Sequence, residues 1–140
     1  MRTLMLAAAG LLAAHSAQAA CPPDAAVEAL SRSLLANTPA APLTGMASLE
    51  HGQCAQDMLV AIMVRHWGRP VGYKVGLTNP AAQQRFGVAH PVTGTIYEST
   101  VSLRSGGEVP ARFGAVPTVE ADLMVRVRDE AINQARTHLD

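Results

Sequence analysis

The sequence predicts an α+β fold in which short N-terminal helices pack on a curved, mixed β-sheet. Apolar residues recur at helical spacing in two stretches near the front of the chain, at residues 24–36 and 48–68. Two later stretches, residues 71–78 and 119–128, alternate apolar and other residues with the period of two that is typical of β-strands. The order of these patterns, helices first and strands later, predicts separate helical and β-rich layers.

Length and charge limit the classes of function. A chain of 140 residues forms one domain with a modest core, which we divide into a helical part at residues 20–68 and a β-rich part at residues 69–140. The 11 basic and 11 acidic residues balance, and no stretch of the chain clusters Lys or Arg. We therefore expect no nucleic acid among the partners.

Residues 1–19 have the pattern of a secretory signal peptide. Arg2 supplies the positive start, residues 4–14 form an apolar run, and Ala17 and Ala19 flank Gln18 as a small-x-small cleavage site. The apolar run is too short to span a bilayer, so we expect no membrane span. The pattern predicts an exported, periplasmic protein; a buried N-terminal helix in a cytoplasmic protein is the alternative.

The two cysteines, Cys21 and Cys54, lie on the exported side of the predicted cleavage point. In an oxidising compartment they favour a disulfide, and closing a loop of this length stabilises a fold by roughly 3 kcal/mol. Their spacing does not suggest a metal site. A lipid anchor at Cys21 is disfavoured because Gln18 stands where an aliphatic residue is expected.

The two helices have recognisable ends and apolar stripes. Asp24 is the predicted N-cap of the first helix, which presents Leu30 on its apolar face. The second helix begins near Ser48 and ends at Gly68 before a proline. Its predicted buried stripe consists of Cys54, Met58, Ala61, Ile62 and Arg65.

The strand at residues 71–78 presents one amine on an otherwise open face. Lys74 lies between Gly72 and Gly76, which leaves room for a ligand to approach it. Desolvation there would lower the pKa of Lys74 towards the range of a general acid or base. The alternative is an edge-strand lysine that only prevents aggregation. The predicted core consists of Leu30, Val71, Tyr73, Val75, Leu77, Val119, Leu123 and Val125.

A short helix follows that strand directly. Asn79 is its predicted N-cap, Pro80 its first residue and Gly87 its stop. Free amides at a helix N-terminus favour an anion, so a substrate carboxylate beside Thr78 and Asn79 is one prediction, and an ordinary capped turn is the other.

The C-terminal third of the chain predicts further strands, a helix and a pair of acids that can share a cation. Residues 90–109 predict short antiparallel strands, and Asp129 is the predicted cap of a helix that includes Leu139. On the strand at residues 119–128, Glu120 and Asp122 share a face with Cα atoms about 6.6 Å apart, so both carboxylates can reach one cation. The alternative is a solvated face.

In that solvated alternative, Arg126 and Arg128 supply the counter-charges. Two adjacent acids on a strand face repel each other unless a cation or a basic partner neutralises them.

Four stretches carry a resemblance to a known family. They read Tyr-Lys-Val-Gly-Leu-Thr at 73–78, Gln-Gln-Arg-Phe-Gly-Val at 83–88, Pro-Val-Thr-Gly-Thr at 91–95 and Pro-Thr-Val-Glu-Ala-Asp at 117–122. In wording, order and spacing they resemble the 2-keto-4-pentenoate hydratase branch of the fumarylacetoacetate hydrolase family. The resemblance implies part of that family's β-roll and covers the front half of a family member.

The resemblance implies a lyase of aromatic catabolism that adds water to a 2-hydroxy-2,4-dienoate and yields a 4-hydroxy-2-oxo acid. Glu120 and Asp122 would be two of three carboxylate ligands for Mg²⁺ or Mn²⁺, with Asp122 one methylene shorter than the family's Glu. Lys74 would be the acid/base, and Thr78 and Asn79 would position the substrate carboxylate. Because a third ligand is expected after residue 140, the chain alone should bind metal weakly, tend to form homo-oligomers or aggregates, and hydrate no dienoate at a useful rate.

Two other functions fit the same residues. A decarboxylase or C–C hydrolase of the same family would use the metal to polarise a small 2-oxo acid. A non-catalytic, exported small-acid-binding domain would keep the fold without turnover.

Overall fold

The structure is a computed structural model that describes residues 21–102 and 104–137, and it confirms the α+β class. The helices are α1 (Asp24–Leu35), α2 (Leu49–Trp67) and α3 (Pro80–Phe86), the strands are β1 (Pro70–Gly76) and β2 (Val92–Tyr97), and two 3₁₀ helices cover Glu98–Thr100 and Glu130–Gln134. In this part of the chain, no helix is long and apolar enough to cross a membrane. The predicted leader at residues 1–19 lies outside the described residues.

Helix α1 forms as predicted, although its cap differs. Asp24 is the first helical residue and Pro23 occupies the N-cap position without a side-chain hydrogen bond. Val27 is fully buried. Ser31 is also buried, and its hydroxyl donates to the Glu28 carbonyl at 2.8 Å, so the one polar group on the inner face is satisfied.

Helix α2 has the predicted ends. The Ser48 hydroxyl accepts from the His51 amide at 3.3 Å, and Gly68 ends the helix with φ of 80°, a conformation that glycine adopts without steric cost. The predicted stripe is only partly correct: Cys54, Met58 and Ile62 are half-buried, but Ala61 and Arg65 are exposed. The buried residues of α2 are Ala55 and Met63. Both α1 and the sheet contact α2. The period of the helix alone does not show which of its sides these two neighbours cover.

A disulfide joins Cys21, just ahead of α1, to Cys54 in α2, with 5.5 Å between the Cα atoms. It links the start of the described chain to the helix that carries most of the core.

The sheet is smaller than predicted. Where the sequence predicted a curved, mixed sheet, the described residues form a two-stranded antiparallel sheet in which Lys74 pairs with Gly94 and Tyr73 with Thr95. The register shifts once, between Pro70 and Gly72. A lone pair of strands is marginally stable in water, so the contact of α2 with β2 supports this sheet.

The core lies between the two long helices and β2. Its apolar members with less than a tenth of their surface exposed are Val27, Ala55, Met63 and Tyr97. The predicted core is therefore wrong in its β part: Tyr73 is 71% exposed and Leu123 is 93% exposed. Alternation shows which side chains share a face, but a face becomes core only where another element covers it. The exposed members of the predicted core are Val71, Tyr73, Val75, Val119, Leu123 and Val125.

The strand predicted at residues 119–128 does not form. These residues are irregular and exposed, and the helix predicted after Asp129 is a 3₁₀ helix, Glu130–Gln134, with Asp129 as its cap. A strand needs a neighbour for its amides and carbonyls, and the described residues supply none beside this segment. The position of Leu139 lies outside the described residues.

Candidate functional site

Strand β1 presents Lys74 on the face of the sheet opposite the helices. Directly paired residues of an antiparallel sheet point to the same side, so Lys74 shares its face with Gly94. The neighbouring pair, Tyr73 and Thr95, points to the other side, where Thr95 lies beside α2 residues such as Met63. The helical core and the Lys74 face are thus the two sides of one thin sheet.

The structure brings Lys74 to Asp122, 48 positions later in the chain. The ammonium group donates a hydrogen bond to Asp122 Oδ2, and the two side chains are 52% and 60% exposed. The other oxygen, Oδ1, accepts from the Leu123 amide at 2.9 Å. Asp122 therefore binds the amide of the residue that follows it and attaches an irregular segment to β1.

This contact sets the charge state of both groups. The hydrogen bond to Asp122, and then the charge of that carboxylate, raise the pKa of Lys74, and Glu120 adds to the effect through its charge. The same hydrogen bond, with the Leu123 amide, lowers the pKa of Asp122. The expected lowering of the Lys74 pKa by desolvation is wrong, because the amine is half-exposed and paired with a carboxylate.

Neither the metal explanation nor the solvated-face explanation named Lys74 as the counter-charge of the adjacent acids. Asp122 pairs with Lys74. Arg126 and Arg128, the counter-charges of the solvated alternative, instead line a shallow cavity of about 530 Å³ together with Ile132.

The predicted carboxylate-binding residues lie at the junction of β1 and α3. Thr78 is exposed, and the Asn79 side-chain oxygen accepts from the Ala82 amide at 2.8 Å as the predicted cap. Leu77 turns the chain out of the strand with φ of 53°, and its carbonyl accepts from the Gln83 side chain at 2.9 Å. The helix is seven residues long, and its cap satisfies the Ala82 amide. The side chains of Thr78 and Asn79 offer further donors here.

Glu120 and Asp122 have the donor chemistry that a hard divalent cation requires. Mg²⁺ in proteins keeps several waters and often takes one or two carboxylates, with substrate oxygens completing its shell. Among the described residues, no group of three or more His, Cys, Asp or Glu side chains is gathered. With no strand at residues 119–128, the prediction that Glu120 and Asp122 share a strand face is wrong. Two carboxylates also do not make a closed structural metal site.

Gly94 is the residue of this site that the sequence analysis did not single out. It belongs to the quoted Pro-Val-Thr-Gly-Thr stretch, but that stretch alone does not show that Gly94 pairs with Lys74. A glycine within a run of β-branched residues was a usable signal. The pairing of Gly94 with Lys74 could not be predicted from the sequence, because α3 separates the two strands and no tight turn fixes their register.

No family model matches this chain, and no solved structure is significantly similar to it.

Proposed function

We propose that the chain carries the site of a divalent-metal-dependent hydratase acting on a small 2-hydroxy-2,4-dienoic acid. The observation that supports it is the contact of Lys74 with Asp122, with Glu120 close enough to act on the amine. The resemblance assigns these three residues to one reaction. Glu120 and Asp122 follow Lys74 by 46 and 48 positions in the chain. In this proposal the two-stranded sheet is the beginning of a β-roll.

Glu120 and Asp122 would hold the cation, Mg²⁺ or Mn²⁺. When bound, it would act as a Lewis acid on the carboxylate and 2-oxygen of the substrate. The protein's own contribution is to gather negative charge on an open face, beside a single amine. Asp122 is oriented by the Leu123 amide, which leaves Glu120 as the freer of the two carboxylates.

Lys74 would move the proton. A lysine is protonated at neutral pH, and the Asp122 contact raises the pKa of Lys74 further, so the group would begin as an acid. It would deliver that proton to a substrate carbon while the 2-hydroxyl group releases its own proton to solvent water, so that the dienol becomes a ketone before water adds. Fixing the amine on a strand supplies the orientation that such a transfer needs.

Thr78 and Asn79 would position the substrate carboxylate. The Asn79 oxygen is engaged at Ala82, but its amide nitrogen and the Thr78 hydroxyl are donors that suit a carboxylate. Both follow β1 within five residues of Lys74.

The direct test is an assay of mature protein with 2-hydroxypenta-2,4-dienoate and Mn²⁺, followed by the loss of dienoate absorbance. The proposal expects only trace conversion, below a useful rate, that requires Mn²⁺ and disappears in Lys74→Ala. Arg69→Ala is the matched control, because Arg69 is another exposed cation of the same region that pairs with Glu98 instead. Equal turnover of wild type and Lys74→Ala would refute the proposal.

A second candidate is a domain that binds small acids without converting them. The exposure of Lys74 and Asp122 favours this candidate. Proton transfer is more efficient in a site that is closed to bulk solvent, whereas simple binding depends less on such closure. Saturable, Mn²⁺-dependent binding of pyruvate, with no conversion of the dienoate, would favour this candidate over the hydratase.

A further inference from the structure

Gly94 occupies a place where the fold does not require a glycine. Its φ lies outside the positive range that favours glycine, and a Cβ built on it would meet no atom of the described residues within 4 Å. The two glycines flanking Lys74 differ, since a Cβ would lie 3.6 Å from the Val92 side chain at Gly76 and 4.0 Å from Ile96 at Gly72. Space is therefore open at Gly94 alone among the three.

A glycine in a strand weakens it, because it adds chain entropy and offers no side chain for cross-strand contact. Thr93 and Thr95 on either side are β-branched, as strand positions favour. Neither backbone conformation nor packing accounts for the glycine between them. What it does provide is an open space on the Lys74 face, directly across the strand pair from that amine.

We infer that Gly94 is a specificity-determining residue that keeps this space open for the flat, unsaturated chain of the acid substrate. The inference rests on the proposed function and names the part of the ligand that the site selects. A conjugated chain is planar and would fit the open space at Gly94, directly across the strand pair from Lys74. A branched side chain at this position would stand where the chain lies and would displace it from Lys74.

The inference separates two parts of the ligand. The carboxylate and 2-oxygen would be held by the cation and by the Thr78 region, so they would not meet a side chain at position 94. Only atoms beyond the 2-oxygen would meet it. A substitution there should therefore discriminate between acids by the length of their chain.

The experiment compares Gly94→Ala and Gly94→Val with wild type by calorimetric titration of two acids in the presence of Mn²⁺. Pyruvate carries only the chelating end, and 2-oxopent-3-enoate adds a flat, unsaturated chain. We expect Gly94→Val to weaken 2-oxopent-3-enoate by about tenfold, Gly94→Ala by less, and pyruvate to change little in either. Gly114→Val is the control, because a Cβ at Gly114 also meets nothing within 4 Å but lies outside both strands.

Thermal unfolding, followed by Trp67 fluorescence, shows that the variants fold. Since a β-branched residue suits a strand, Gly94→Val should unfold at the same temperature as wild type or higher. Equal affinity of wild type and Gly94→Val for 2-oxopent-3-enoate would overturn the inference while leaving the proposed function intact. An equal loss for both acids would also overturn it, because the residue would then support the whole site. Absence of binding of either acid by wild type would overturn the proposed function and the inference with it.

Discussion

The two sides of the sheet differ in what holds them together. On the helix side, α1, α2 and β2 enclose Met63 and Val27 almost completely, and the rings of Trp67 and Tyr97 meet edge to face at 5.4 Å between centroids. On the Lys74 side, the segment that reaches the sheet is irregular and exposed, and the contact that attaches it is an ion pair between half-exposed groups. Stability therefore resides on one side and the candidate chemistry on the other.

This separation has a physical basis. Apolar burial is non-directional and strong, so it defines a core wherever helices cover a strand. An exposed ion pair contributes little stability because water screens it, but it places specific charges at specific positions. A site built from such contacts can exchange its partners for a ligand without unfolding the core.

The largest effect should follow from a change in the helix-side core. Met63→Ala should destabilise the fold by about 2–5 kcal/mol, since it removes a fully buried side chain and leaves a cavity. Leu123→Ala is the matched control and should change stability by less than about 0.5 kcal/mol, because Leu123 is 93% exposed. Urea unfolding followed by Trp67 fluorescence measures both. Similar losses for the two variants would mean that the two sides do not differ as described.

The disulfide should contribute to the helix side by a similar amount. Replacing Cys21 and Cys54 together by Ser should lower the free energy of unfolding by about 3 kcal/mol, because the unfolded chain gains the entropy of an open loop. Binding of Mn²⁺ on the opposite side should be unchanged at temperatures where the variant stays folded. If the double variant keeps the wild-type stability, the bridge does not contribute as expected.

On the Lys74 side, Glu120→Gln should reduce Mn²⁺ affinity by more than about tenfold while leaving stability nearly unchanged. The variant removes a charged ligand from a site that has few, whereas an exposed glutamate has no packing to lose. Glu130→Gln provides a control with the same charge change at another exposed position. Equal Mn²⁺ binding by wild type and Glu120→Gln, measured by calorimetry, would refute the metal assignment.

The smallest effect concerns pH. The lowered pKa of Asp122 means that its pairing contributes above the pKa of the unfolded chain and is lost as pH falls through the folded pKa. The pKa of Lys74 is raised, so at the alkaline end the contribution of the same ion pair is lost as pH rises through the folded-state pKa of Lys74. Hydrogen exchange of the Leu123 amide should therefore speed up, relative to its intrinsic rate, under acid conditions and in Asp122→Ala. Unchanged protection in Asp122→Ala would show that the segment is held by other contacts.

Local signals in the sequence predicted the ends of α2 and α3 correctly, because a Ser, an Asn and two Gly residues define them within one turn. The core of the β part was predicted wrongly, as Tyr73 illustrates. Its position in the alternation was read correctly, but α2 covers the β2 half of that face and leaves Tyr73 exposed. Local periodicity contains no information about which element lies above a strand.

The sequence pointed to the residues of the candidate site but did not predict which of them contact each other. Lys74, Glu120 and Asp122 were identified from glycine spacing, charge alternation and resemblance. Their convergence depends on the path of an irregular segment, which no periodic pattern describes. The position of Gly94 opposite Lys74 depends on the β1–β2 register. That register could not be predicted because a long connection that includes α3 joins the two strands.

The central claim is that Lys74 and Asp122 act as one unit in binding a small acid with a metal. A double-mutant cycle tests it most directly, with Lys74→Ala, Asp122→Asn and the double variant titrated with pyruvate in the presence of Mn²⁺. The account predicts that each single variant loses most of the binding and that the double variant loses little more, so the free energies are strongly non-additive. Additive losses, or single variants that bind pyruvate like wild type, would contradict it.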